Sequence, residues 1–93
     1  MKRFKLSPEA ASDIRDIWAY IAQDSIKAAR KVRLTLFDAC KLIAENPKIG
    51  HTREDLTDQP VLFWPVGSYL ISTSKPVSIV RVLHGARDVP SLF

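Results

Sequence analysis

"AYIAQDSIKAAR", residues 19–30, decides the fold. On its N-terminal side Ile14, Ile17, Trp18 and Ile21 recur at i, i+3, i+4 and i+7, which is one apolar helical stripe. On its C-terminal side Ala29, Val32, Leu36, Ala39, Cys40 and Ile43 mark the buried side of a second helix. Asp24 and Ser25 lie between the two, and either caps a helix start. Two amphipathic helices joined by so short a link fold back on each other as a hairpin. The first begins at "SPEA", where Ser7 caps the exposed amides, Pro8 suits the first helical position and Glu9 favours the positive end of the dipole. It runs to about Asp24. The second ends at Asn46-Pro47, because proline drives the residue before it out of α geometry.

Outside the hairpin the period changes. "RFKL", residues 3–6, alternates polar and apolar and reads as a short first strand. A polar loop, "PKIGHTREDLTDQ", leads to three further strands: "VLFWPV", "YLISTS" and "VSIVRVLH". Gly67-Ser68 joins the first two, with glycine first as a type II′ turn requires, and Lys75-Pro76 joins the last two. Short links make antiparallel neighbours. The order β-α-α-β-β-β is that of an α+β protein, a helical hairpin packed on a small, mostly antiparallel four-stranded sheet. Residues 1–93 read as a single domain.

The single cysteine, Cys40, excludes an internal disulfide and lies in the apolar stripe as a small core residue. Two histidines without ligand-type spacing argue against a metal site, and no cofactor motif is present. The opening "MKRFKLSPEA" is basic but lacks the apolar run of a signal peptide, and no stretch reaches about 20 apolar residues, so a soluble cytoplasmic protein is expected. The net charge of +4 and pI near 9.5 favour an acidic partner, either nucleic acid or an acidic protein segment.

"RVLHGARD", residues 81–88, gathers the candidate chemistry. Strict alternation puts Val77, Ile79, Arg81 and Leu83 on one face of the last strand and Ser78, Val80, Val82 and His84 on the other. An arginine midway along such a strand needs a paired charge or an open, wet face. Asp88, Asp55 and Glu54 are the expected partners; the alternative is an arginine facing phosphate or an acidic partner. His84 ends the strand, either as a hydrogen-bonding group or as a general acid or base near pH ~6.5. Lys27, Arg30, Lys31 and Arg33 crowd the first turns of the second helix, where each opposes the dipole by roughly 0.3–1 kcal/mol. They form either a solvated surface or a ridge for an acidic partner. Trp18, Tyr20 and Trp64 read as core or groove lining. A glycine-rich phosphate loop, a G-x-S-x-G elbow and a paired-carboxylate site are all missing from the sequence.

In order along the chain, "FKLSPEAASDIRDIWAYIAQD", "AENPKIGHTREDL", "YLIS" and "IVRVLHGARD" resemble the RelE/ParE superfamily of type II toxin–antitoxin toxins, and the layout is closer to ParE. The loop P-x-I-G-x-x-R-x-D-L from Pro47 to Leu56 and the terminal RVLHGARD are the most specific parts. The resemblance implies a hetero-oligomer with a cognate antitoxin whose acidic or amphipathic C-terminal segment wraps the toxin, a role in plasmid stabilisation, and one of two targets. ParE-type toxins block DNA gyrase; RelE-type toxins cut messenger RNA on the ribosome. For RNA cleavage Arg81 matches the strand arginine and His84 is the one remaining acid–base group. The C-terminal tyrosine of RelE-type enzymes has no match, so gyrase inhibition is the expected activity. A toxin fold that only binds its antitoxin is the third reading. The expected partner-binding residues are Trp18, Lys27, Arg30, Arg33, Arg53, Arg81, His84, Arg87 and Asp88.

Overall fold

The computed structural model describes residues 4–46, 48–53, 55, 57, 60–74 and 78–84. Elements follow the expected order: β1 (Lys5–Leu6), α1 (Pro8–Ala22), α2 (Ile26–Glu45), β2 (Leu62–Val66), β3 (Tyr69–Ser74) and β4 (Ser78–Leu83). They form a four-stranded sheet in the order β1-β4-β3-β2 with the helical hairpin on one face. β1 runs parallel to β4, and the other two pairs are antiparallel. The α+β architecture read from the sequence is therefore the observed one.

The local signals act where the residues place them. Ser7 caps α1, its Oγ accepting from the Ala10 amide at 3.0 Å, with Pro8 next in line. Ser25, rather than Asp24, caps α2, accepting from the Ala28 amide at 3.1 Å. The first helix stops at Ala22, two residues before the expected Asp24, because the Asp24 and Ser25 amides both turn back to the Ile21 carbonyl. Asn46 closes α2, its Nδ2 donating to the Leu42 carbonyl; Pro47 lies outside the described residues. Val66 pairs with Tyr69 across Gly67-Ser68. Gly67 has φ +58° and Ser68 does not have positive φ, which fits the expected type II′ turn and excludes type I′.

The main core lies between hairpin and sheet. Ala10, Ile14, Leu36, Ala39, Cys40 and Ile43 from the helices meet Ile71, Ile79 and Val82 from the strands. Val32, expected on the buried side of α2, is only half-buried. On the opposite face of the sheet Val61, Phe63, Leu70 and Leu83 form a second cluster.

β4 departs from strict alternation. Thr73 pairs with Ile79 and Ser72 with Arg81, so Val80 is an extra residue without a partner on β3. This β-bulge shifts the phase by one position. Ile79 and Val82 both face the helices, whereas Leu83 belongs to the opposite cluster, away from Ile79. The expectation that Ile79 and Leu83 share a face is overturned for that reason.

The β2 edge and the stretch of β4 beyond β1 are both closed. β1 pairs with β4 only through Lys5–Ser78 and Leu6–Ile79. Ser7 extends the seam, its amide donating to the Ile79 carbonyl at 3.0 Å and its Oγ to the Val80 carbonyl at 2.6 Å. At the other edge the loop before β2 forms a two-bond bridge: His51 N–H donates to the Phe63 carbonyl at 2.8 Å and Phe63 N–H to the His51 carbonyl at 2.7 Å. Pro65, two residues on along the same edge, offers no N–H to a further strand. The bridge needs Gly50, since a Cβ there would stand 2.8 Å from Leu62 Cβ and 3.2 Å from the Phe63 carbonyl oxygen.

Cys40 sits wholly inside the main core, and burial pushes its thiol up to about 11. At pH 8 it then carries roughly 10²-fold less thiolate than an exposed cysteine. Alkylation by iodoacetamide at pH 8 is expected to be at least that much slower for the native chain than for the chain unfolded in guanidinium. Equal rates would place Cys40 at the surface.

Candidate functional site

Asp13 stands three residues after Ala10 and four before Ile17, within the inward side of α1. A carboxylate there requires donors, and β4 supplies three. Arg81 Nε donates to Asp13 Oδ2 at 2.7 Å, Arg81 Nη2 to Asp13 Oδ1 at 2.8 Å, and the Val82 amide to Asp13 Oδ2 at 3.0 Å. The pair is largely shielded, with side-chain exposures of 24% for Arg81 and 14% for Asp13. The hydrogen-bonded Asp13 carboxylate holds the Arg81 guanidinium above its ordinary range, against the opposing effect of burial, and the charges of Asp13 and Glu9 add to it. Arg81 is thus an ion-paired arginine, as one reading expected, but its partner is Asp13 and not Asp88, Asp55 or Glu54. The shallow groove around it is lined by Pro8, Glu9, Ser12, Asp13 and Asp16, an acidic setting that disfavours phosphate.

The expected site residues do not converge on one point. Trp18 is half-buried on α1, and its Nε1 is buried without a hydrogen-bond partner among the described residues. Arg53 forms an exposed bidentate pair with Asp55, at 3.0 and 2.8 Å, beside the β2 edge. Arg87 and Asp88 lie outside the described residues. Lys27, Arg30, Lys31 and Arg33 are all exposed on α2, and none has an ion-pair partner among the described residues. His84 is exposed at the end of β4, its ring 5.2 Å from that of Tyr69. Among the described residues no group of three or more histidine, cysteine, aspartate or glutamate side chains is arranged to hold a metal ion.

One cleft does join two of these places. Lys31, Val32, Thr35 and Leu36 of α2 face Val66, Gly67, Ser68 and Tyr69 of the β2–β3 hairpin across a predominantly apolar groove. Tyr69 lines this groove and also contacts His84, so Lys31 of α2 and the end of β4 flank the same depression. Such an apolar floor with a cationic rim suits a peptide segment carrying apolar and acidic side chains. Sequence reasoning missed both Tyr69 and Asp13. Tyr69 left no local signal, since its proximity to His84 comes from strand pairing. Asp13 left one: a carboxylate interrupting an apolar helical stripe.

Comparison with known proteins agrees with this architecture. The family model for the ParE toxin of type II toxin–antitoxin systems, parDE, matches residues 4–89. The chain belongs to that family of toxins. It is 32% identical to Toxin ParE1 of Caulobacter vibrioides, with 90% of each chain covered. In fold it resembles a chain of the solved chromosomal ParDE TA system from P. aeruginosa, with a TM-score of 0.71 at 18% identity, covering 91% of this chain and 97% of that one. Among the described residues no helix is long and apolar enough to cross a membrane.

Replacing Asp13 by asparagine removes the charge that two guanidinium nitrogens and an amide share. Such a change in a shielded pair is expected to cost about 2–3 kcal/mol and to lower the melting temperature by about 10 °C or more. Asp55→Asn, in the exposed pair, is expected to leave it unchanged. Thermal denaturation followed by circular dichroism checks both; equal shifts for the two variants would contradict the structural role of Asp13.

Proposed function

We propose that this type II toxin acts by binding DNA gyrase and blocking it, not by cutting messenger RNA, and that an acidic segment of a cognate antitoxin holds it inactive. The observation that carries the proposal is the occupied Arg81 fork. RNA cleavage needs a cation free to stabilise charge developing on the scissile phosphate. The strand arginine that the RelE-type mechanism calls on has two of its nitrogens committed to Asp13. Releasing it would leave the shielded Asp13 carboxylate with one of its three donors, the Val82 amide. Membership of the ParE family, the identity with the Caulobacter toxin and the fold shared with a ParDE system support the same reading.

For the antitoxin, the cleft between α2 and the β2–β3 hairpin supplies the apolar floor with Lys31 at its rim, and the exposed Lys27, Arg30 and Arg33 spread positive charge around the same end of α2. The closed β2 edge favours recognition there through side chains over addition of a strand. Trp18, Arg53, His84, Arg87 and Asp88 remain proposed contacts for antitoxin or target, with Arg81 acting through the surface it anchors.

The purified protein is expected to stop DNA supercoiling by gyrase and to leave ribosome-bound messenger whole. His84→Ala should weaken inhibition by at most roughly 30-fold, the effect of one interface residue. A ribosome-dependent cut made by the wild type and slowed about 10²- to 10⁴-fold by His84→Ala would establish the ribonuclease instead. Inactivity in both assays would leave the antitoxin-binding module.

The antitoxin proposal has its own test. Arg30→Glu with Arg33→Glu is expected to slow association with the antitoxin by about tenfold or more at low salt and to flatten its salt dependence. Stopped-flow kinetics matching the wild type would remove the ridge from that interface.

A further inference from the structure

α2 carries large apolar side chains on its outward side that the main core does not use. Ile26 is 54% exposed, Leu34 63% and Leu42 40%. They stand eight residues apart, and the exposed Arg30 and Asp38 fall midway between them. Ile26, Arg30, Leu34, Asp38 and Leu42 therefore follow one i+4 ridge along the helix. Neither Arg30 nor Asp38 has an ion-pair partner among the described residues.

The ridge reads apolar, cation, apolar, anion, apolar. Reversed about Leu34, it becomes its own complement. We infer that this ridge is a self-association surface on which α2 of a second copy packs antiparallel, with Leu34 on the two-fold axis. A closed two-fold contact uses the same patch twice, so each pairing occurs in duplicate. Leu34 meets Leu34 of the second copy and Arg30 meets Asp38, with Ile26 and Leu42 at the flanks. Both ridges are i±4 rows, so a crossing of about 50° lays the middle of one along the other. The arrangement also eases a local conflict. The cations at the positive end of α2 come to lie beside the negative half of the opposing helix dipole.

An acidic helix from another protein fits the ridge less well, because Asp38 and Glu45 in the second half of α2 would repel it. A parallel second copy fits less well too, since it would set Arg30 against Arg30. The inference does not rest on the proposed target or antitoxin. Its experiment uses the purified chain alone, so its failure leaves that reading untouched. Because an antitoxin approaching Arg30 covers part of the ridge, the two associations compete.

Charge sets a signature for the contact. The exposed surface of α2 carries five cations, Lys27, Arg30, Lys31, Arg33 and Lys41, against the carboxylates of Asp38 and Glu45. Two such surfaces repel at long range, and salt screens that repulsion over a Debye length of about 10 Å at 0.1 M. Self-association should therefore strengthen as salt rises, whereas binding of an acidic segment should weaken.

Sedimentation equilibrium of the wild-type chain is expected to show a reversible dimer that gains population with salt. Arg30→Asp puts anions at both ridge positions, and Asp38→Arg puts cations at both. Each variant alone, and Leu34→Glu, should dimerise at least about tenfold more weakly. Mixing Arg30→Asp with Asp38→Arg should restore a heterodimer, because both pairings then match. All three sites are exposed, and unchanged melting curves verify that the variants fold. A wild-type chain that stays monomeric up to about 1 mM overturns the inference. So does a dimer that all three substitutions leave intact, or charge variants that fail to recombine on mixing.

Discussion

The carboxylate of Asp13 ties the helical hairpin to the sheet. It takes two hydrogen bonds from the Arg81 guanidinium and a third from the Val82 amide, across a separation of 68 and 69 residues in the chain. Ser7 makes the companion link one turn and a half earlier, capping α1 with the same hydroxyl that closes the Val80 carbonyl. Between them these two side chains complete the edge of β4 where β1 has ended. The bulge at Val80 sits at this seam, and the phase shift it introduces places both Ile79 and Val82 against the helices. A shielded charge with its hydrogen bonds satisfied favours one alignment of helix on strand, because sliding either element would leave the carboxylate without donors.

That constraint shapes what the surface can do. An arginine held by a carboxylate positions a strand and gives little to a phosphate. The β2 edge is occupied by the His51 bridge that Gly50 permits, and β4 beyond β1 is taken up by Ser7 and Asp13. Backbone pairing is a poor route for a partner at those places, and recognition there falls to side chains. The cleft between α2 and the Gly67 turn offers those, with Tyr69 linking it to His84.

α2 has two different sides at its outward face. Its first turns are crowded with cations that the dipole opposes and that have no ion pair among the described residues, while its middle and end alternate exposed leucines with Asp38, Lys41 and Glu45. Residues in such unfavourable local settings are better explained by an external partner than by the stability of the isolated chain. The cleft and the ridge share Lys31 and Arg30 as neighbours on one helix, so whatever occupies one affects the other.

Much of this was legible along the chain. The stripe of Ile14 and Ile17, the caps Ser7 and Ser25, the stop at Asn46 and the glycine-first turn at Gly67 are local signals. Their physics involves residues within a turn or two of each other, so order and type of every element could be read. The family resemblance reached the same fold through motifs. The Arg81 partner was not legible, because three carboxylates closer to it in sequence than Asp13 competed with one that only tertiary packing brings within 2.7 Å. The faces of β4 were misread because a bulge depends on register with β3, and register is a property of two strands. Tyr69 and His84 meet for the same reason, through the pairing of Leu70 with Leu83. The sequence by itself thus determined the elements and their caps, through short-range hydrogen bonding and periodicity. The tertiary structure decided which charges pair and which side chains share a cleft, since those depend on contacts between residues far apart in the chain.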